Sequence, residues 1–189
     1  QVRPLTDPDG LPLLPKYLAD AEGLAILPDG ELLISFEREH RVWRYDRDGR
    51  WRDERVMPDV AFTENDGMEG IASSGDDTFW AAGENGGLWL CLVDECRVTM
   101  APPDGVPSDD DLRVTSLIVD PDGGLWALMR AYHEDRDTNT IVIARMAMGL
   151  GHPDGQWGAY WMAAARLVAP ATVDNFEGIA ADSMSRGRS

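Results

Sequence analysis

The sequence predicts an all-β protein, an antiparallel β-propeller, partial, of about three and a half blades with four short strands in each. A recurring pentamer and the spacing of its copies carry this reading. Ala21-Glu22-Gly23-Leu24-Ala25, Met68-Glu69-Gly70-Ile71-Ala72 and Phe176-Glu177-Gly178-Ile179-Ala180 share one order: a small or apolar residue, Glu, Gly, an aliphatic residue, Ala. Glu22 and Glu69 lie 47 residues apart, and a third frame with Thr115 in place of the acid follows 46 residues later. A repeat of roughly 40–50 residues that holds several short strands is the signature of a propeller blade. The wider gap of 62 residues from Thr115 to Glu177 reads as an insertion in the third blade. The whole chain is then one domain with repeats at about 20–66, 67–112, 113–172 and 173–189.

Each element follows from local chemistry. Residues 1–19, rich in proline and turn residues, read as an outer strand and crossover. The first blade takes strands at 24–27, 31–37, 41–45 and 52–57, parted by Pro28-Asp29-Gly30 and Asp46-Arg47-Asp48-Gly49, where glycine is free to take positive φ. The second takes 70–73, 78–82, 88–93 and 97–100, followed by an acidic crossover at 104–111. The third takes 115–119, 125–129, 140–146 and a return through 157–168, with the charged tip His133-Glu134-Asp135-Arg136-Asp137 between its second and third strands. The glycine-rich stretch 149–155 reads as a mobile loop, and 184–189 carries no strand signal. Trp43, Trp80, Trp89 and Trp126 fall in or beside strands and are expected to pack between blades.

Length and charge narrow the function. At about 46 residues per blade, six blades need roughly 280, so a 189-residue chain reads as a fragment cut at both ends. Open sheet edges then lead to the expectation that this piece alone is marginally stable, self-associating or completed by a partner. A formal net charge of −17 repels nucleic acid and anionic membranes. No apolar run approaches the roughly 20 residues of a membrane span. Cys91 and Cys96 suit the end of a hairpin: a disulfide in an oxidising compartment, two free thiols in the cytosol. A Gly-x-Ser-x-Gly elbow, a P-loop and a dinucleotide fingerprint are all missing from the sequence.

In a propeller the first strand of each blade lines the central channel, so a Glu at one point of successive blades forms a ring. Glu22, Glu69 and Glu177 would meet there, with Glu37 and Glu84 one strand further out. Carboxylates so gathered bind a cation, share protons or pair with arginine. Hard oxygen ligands suit calcium, and magnesium less well. Asn65, Asp66, Asp174 and Asn175 would add oxygens at the channel mouth, while Arg38 and Arg130 would clamp an anion or neutralise the ring. Two structural readings stand beside these: the repeated Glu accepts backbone N–H bonds and locks neighbouring blades, and Glu37 pairs with Arg38.

The sequence resembles the phytase-like family described as having esterase-like activity of phytase. The resemblance rests on Asp20 through Ala25, Ser35-Phe36-Glu37-Arg38 with His40 through Tyr45, Met68 through Ala72, and Asp174-Asn175-Phe176-Glu177-Gly178-Ile179-Ala180. It implies a propeller-type fold, export to the periplasm or beyond, and a hydrolase acting on small-molecule phosphoesters or esters. Met129 stands beside Arg130 where that family often has Glu-Arg. The expectation is metal-assisted hydrolysis, with Glu22, Glu69 and Glu177 as ligands or general bases, Asp174 and Asn175 as further ligands, and Arg38, Arg130, Glu37 and Glu84 facing the substrate. The alternatives are a lactonase-type metal-dependent propeller and a non-catalytic binding propeller with structural acids.

Overall fold

Turn chemistry sets the strand lengths. A computed structural model of the chain describes residues 4–62, 67–101, 111–149, 158–168 and 178–181. Asp46 accepts from the backbone N–H groups of Asp48 and Arg50, and Asp120 does the same for Asp122 and Gly124. Asp29 accepts from Glu31. In each turn the following glycine, Gly30, Gly49 or Gly123, has φ near +80° (82°, 80° and 83°), a conformation that costs a side chain dearly. These Asp-Gly turns join antiparallel neighbours.

Twelve strands result: β1 (Ala21–Ile26), β2 (Leu32–Phe36), β3 (Arg41–Tyr45), β4 (Trp51–Arg55), β5 (Met68–Ser73), β6 (Phe79–Gly83), β7 (Leu88–Cys91), β8 (Cys96–Met100), β9 (Arg113–Val119), β10 (Leu125–His133), β11 (Thr138–Gly149) and β12 (Gly158–Leu167). They form three four-stranded antiparallel sheets in the orders β1-β2-β3-β4, β5-β6-β7-β8 and β9-β10-β11-β12. The described residues contain no α-helix. The all-β, four-strand repeat is as the sequence predicts. The third sheet exceeds it, since β10 and β11 run on to either side of the charged tip, pairing as far as His133 with Thr138.

The sheets stack face to face, with β1 beside β5 and β5 beside β9. Leu27, Leu33, Val42, Ile71 and Phe79 fill the space between the first and second sheets. Leu88, Leu117, Leu125, Met129 and Val142 fill that between the second and third. β2 is buried along almost its whole length because it is covered on both faces, whereas β1 alternates and leaves Leu24 and Ile26 exposed.

The glycine of the repeated motif sets the approach of the inner strands. A Cβ on Gly23 would stand 2.5 Å from Ser35 Oγ and 3.2 Å from the Glu69 carbonyl oxygen, and one on Gly70 would stand 2.8 Å from Leu117 Cγ. Ser35, fully buried, accepts from Gly23 N–H at 2.9 Å and donates to the Met68 carbonyl at 2.7 Å. The hydrogen-bonded link between the first two inner strands thus runs through a serine.

The opening segment differs from the outer strand expected of it. Pro4, Pro8, Pro12 and Pro15 remove donors that a strand would need, and residues 4–20 make one isolated bridge, Thr6 with Pro12, and a 3-10 turn at Lys16–Leu18. They lie over the outer face of the first sheet, where Leu13 packs with Ile34, Phe36 and Tyr45. Buried Arg41, stacked on Phe36 and Trp43, donates to the Leu18 carbonyl and ties the segment down. The tryptophans divide similarly. Trp89 is core, whereas Trp126 donates to Asp120 at 2.8 Å and braces a turn beneath Arg145.

Cys91 and Cys96 are cross-strand partners joined in a disulfide that closes the β7–β8 hairpin. So short a loop restrains the unfolded chain little, so reduction is expected to lower stability by about 2 kcal/mol. Urea unfolding with and without reductant measures this; an unchanged midpoint would contradict it.

Candidate functional site

The three inner strands carry the same irregularity. Antiparallel register slips between Ala21 and Gly23, between Met68 and Gly70, and, opposite Leu128 and Met129, around Thr115. In each case the register skips one residue: Glu22, Glu69 or Thr115, the last of which donates through its hydroxyl to the Leu128 carbonyl on the paired strand. A bulge bends the strand and re-aims the side chain of its extra residue. The third repeat has lost the acid and kept the bulge.

Fifteen residues further along stand Glu37 and Glu84, one residue past the ends of β2 and β6, and Arg130 on β10. Backbone pairing fixes their neighbours. Glu37 N–H donates to the Asp20 carbonyl, Glu84 N–H donates to the Gly67 carbonyl, and Arg130 is the register partner of Arg113. One cross-strand position therefore holds Asp20 and Glu37 in the first sheet, Gly67 and Glu84 in the second, and Arg113 and Arg130 in the third.

These positions converge on one cavity of about 350 Å³, lined by Glu22, Glu37, Glu69, Glu84, Thr115 and Arg130. Burial pushes the Glu69 carboxyl up to about 8, and the Glu22, Glu84 and Glu37 charges push the same way while Arg130 opposes them. Carboxylate oxygens of Asp20, Glu22 and Glu37 lie within 4.8 Å of one another. A group of hard oxygens at that spacing fits one divalent cation, since calcium takes oxygens at about 2.3–2.6 Å. Arg38 is held beside this group rather than in the cavity, with Nε 2.9 Å from Asp20 Oδ2 and 3.9 Å from Glu37 Oε2. Its main partner is Asp20 and not the adjacent Glu37.

Glu22, Glu69, Glu37, Glu84 and Arg130 are brought together; Arg38 stands outside. Asn65, Asp66, Asp174, Asn175 and Glu177 lie outside the described residues. Sequence reasoning missed Asp20, Arg113 and Thr115 as members of the site. Asp20 had a signal, because it precedes Glu22 by two and strand residues two apart share a face.

A second cavity, about 360 Å³, takes three consecutive residues from each repeat: Leu24 to Ile26, Ile71 to Ser73, Leu117 to Val119 and Ile179 to Ala181. It is aliphatic where the first is acidic, so polarity changes along the inner strands.

A family model described as phytase-like, with esterase-like activity of phytase, matches residues 1–189. No curated protein matches the chain. Among solved structures, that of a protein of unknown function from Bacteroides caccae aligns at 12% identity with a TM-score of 0.37. The alignment covers 79% of this chain and 61% of that one, so the chain spans less than two thirds of that protein's length. A likeness this loose carries no argument.

Proposed function

Since the chain belongs to the phytase-like family, we propose that it hydrolyses an ester bond, of a phosphoester or a carboxylic ester, at the acidic cavity. The observation that carries this reading is the convergence on one cavity of the same two positions from three repeats, with half-buried Glu69 among them. On this reading the three sheets are blades of a β-propeller. Adjacent inner strands β1, β5 and β9, and a second cavity bordered by four repeats, support that architecture.

Asp20, Glu22 and Glu37 would hold a divalent ion, calcium by the hardness of the donors. Bound there, the ion supplies a positive charge that polarises an ester oxygen and offsets the clustered carboxylates. Arg38 pairs with Asp20; its side chain is 45% exposed and can swing to solvent, which would free Asp20 for an ion. Glu69, raised to about 8, holds its proton near neutral pH and is placed to give it to the leaving oxygen. Arg130 faces the same cavity and balances negative charge on the substrate. The Glu-Gly motif recurs at Glu177, with Asp174 and Asn175 just before it in the sequence, and these three lie outside the described residues. Export to an oxidising compartment is part of this reading and is supported by the Cys91–Cys96 disulfide.

Calorimetric titration of calcium, with Glu22→Gln and Glu37→Gln beside the parent, tests the metal site. Each substitution removes one anionic ligand and is expected to weaken binding roughly tenfold or more. Hydrolysis of phosphomonoester, phosphodiester and carboxylic ester substrates should fall in the same variants. Failure of all three substrates with calcium bound would end the hydrolase reading. Unchanged affinity in both variants would end the metal assignment.

A further inference from the structure

The inner strands carry the two cavities in series. In each of three repeats the residue that borders the acidic cavity, Glu22, Glu69 or Thr115, is followed two places later by an aliphatic residue, Leu24, Ile71 or Leu117, that borders the second. At about 3.3 Å per strand residue the two linings stand roughly 7 Å apart along β1, β5 and β9 alike. One offset repeated on three strands makes the cavities neighbours along a common direction. The fourth repeat borders the second cavity at the same motif position, through Ile179. Among the lining residues of that cavity no side chain is charged, and the Ser73 hydroxyl is spent on the Gly75 carbonyl at 3.0 Å. Ile71 and Leu117 are buried, whereas Leu24 and Ile26 of β1 are 60% and 67% exposed. Large aliphatic side chains left facing a concave space favour the arrival of hydrocarbon from water.

We propose that the second cavity is a subsite for a short aliphatic chain of the substrate, whose ester group lies in the acidic cavity. A volume of about 360 Å³ falls in the range of small-ligand pockets, which pair apolar walls with a few polar groups that fix orientation. Here the polar groups stand one motif step away, at Glu22 and Glu69. A chain lying in the cavity covers Leu24 and Ile26 and asks for no hydrogen bond in return. Specificity follows from that polarity. An ester of an aliphatic acid fills both cavities, whereas a polyol phosphate brings the second no hydrocarbon to bury. The other occupant an exposed aliphatic patch could take is a second copy of this chain. Charge favours the small ligand, because two chains of net charge −17 repel each other and a neutral hydrocarbon chain meets no such barrier. The inference rests on the hydrolase reading for the chain's place in a substrate, and not for the binding itself.

The test is calorimetric titration of octanol into the full chain in EDTA, so that neither turnover nor a metal is needed. The parent is expected to bind, with affinity rising from butanol through hexanol to octanol and with a negative heat-capacity change. Leu24→Ser and Ile26→Ser fall at side chains already largely exposed, so the fold should survive while each weakens octanol binding roughly fivefold or more. Val98→Ser, at an exposed β8 residue that lines neither cavity, should leave it unchanged. In hydrolysis of a series of carboxylic esters, KM should fall as the acyl chain lengthens, and both serine variants should flatten that dependence. No octanol binding by the parent, or equal affinity in parent and both serine variants, overturns the subsite. So does a KM independent of chain length in a parent that cleaves the series. A parent dimer in sedimentation that Leu24→Ser dissolves overturns it as well, since a second copy then covers the patch. Octanol bound with no ester cleaved ends the hydrolase reading alone and leaves the aliphatic site standing.

Discussion

Glu69→Gln is expected to stabilise the metal-free protein at pH 8.5 by about 3 kcal/mol while changing little at pH 4. The folded-state value is about 8 against an ordinary 4.5. Between those limits the folded protein binds more protons than the unfolded chain, so stability falls as pH rises. Below 4.5 the carboxyl is protonated in both states and the cost is absent; above 8 it is present in full. A shift of that size would correspond to about 4–5 kcal/mol if it acted alone, at about 1.4 kcal/mol per unit. Sharing of the repulsion with Glu22, Glu37 and Glu84 lowers what one substitution recovers. Urea unfolding in EDTA at several pH values gives the slope directly. Calcium at Asp20, Glu22 and Glu37 should lessen the slope without abolishing it, because the ion offsets the Glu22 and Glu37 charges and leaves burial, the larger cause, to keep the proton on Glu69. An equal slope in parent and variant would mean that Glu69 is solvated, and the proton-donor role would go with it.

How much of this was legible follows from where each signal resides. The Asp-Gly turns and the motif glycines act locally, so the sequence predicts β3 at the bounds found and most other strands within two or three residues. Only the spacing of Asp20 from Glu22 pointed to a place in the site; its pairing with Glu37 was not legible, because it requires a register that shifts at Glu22. The third repeat reads as a degenerate copy that has lost its acid. In space it keeps the bulge and inverts the charge of the adjoining pair, which needs the β9–β10 alignment to see. Arg38 reads as facing the substrate because it follows Glu37. A left-handed backbone at φ 65° turns it toward Asp20 instead. Trp126 has the pattern of a core residue, but an aspartate six positions earlier claims its N–H.

One motif, three different costs: Gly23→Ala is expected to lose about 2–4 kcal/mol, Gly70→Ala about 1–3, and Gly178→Ala less than about 0.5. None of the three has a positive φ, so the difference comes from what approaches the α-carbon. At Gly23 the new methyl would fall 2.5 Å from Ser35 Oγ and 3.1 Å from Ile71 Cγ1. Relief requires Ser35 to turn, which breaks its bonds to Gly23 N–H and the Met68 carbonyl, each worth about 1 kcal/mol, on top of the overpacking. At Gly70 the methyl meets the Leu117 side chain at 2.8 Å and its backbone N at 3.2 Å, with no hydrogen bond to lose through a serine. At Gly178 nothing among the described residues lies within 4 Å. Chemical denaturation of the three variants ranks them, and equal losses would refute the account of the motif as a spacing device. Gly23 adjoins Glu22, and its approach to the Glu69 carbonyl sets how near the two carboxylates can come. Gly23→Ala is therefore also expected to weaken calcium binding while every proposed ligand remains in the chain, the mark of a site whose geometry depends on two strands meeting without a side chain between them.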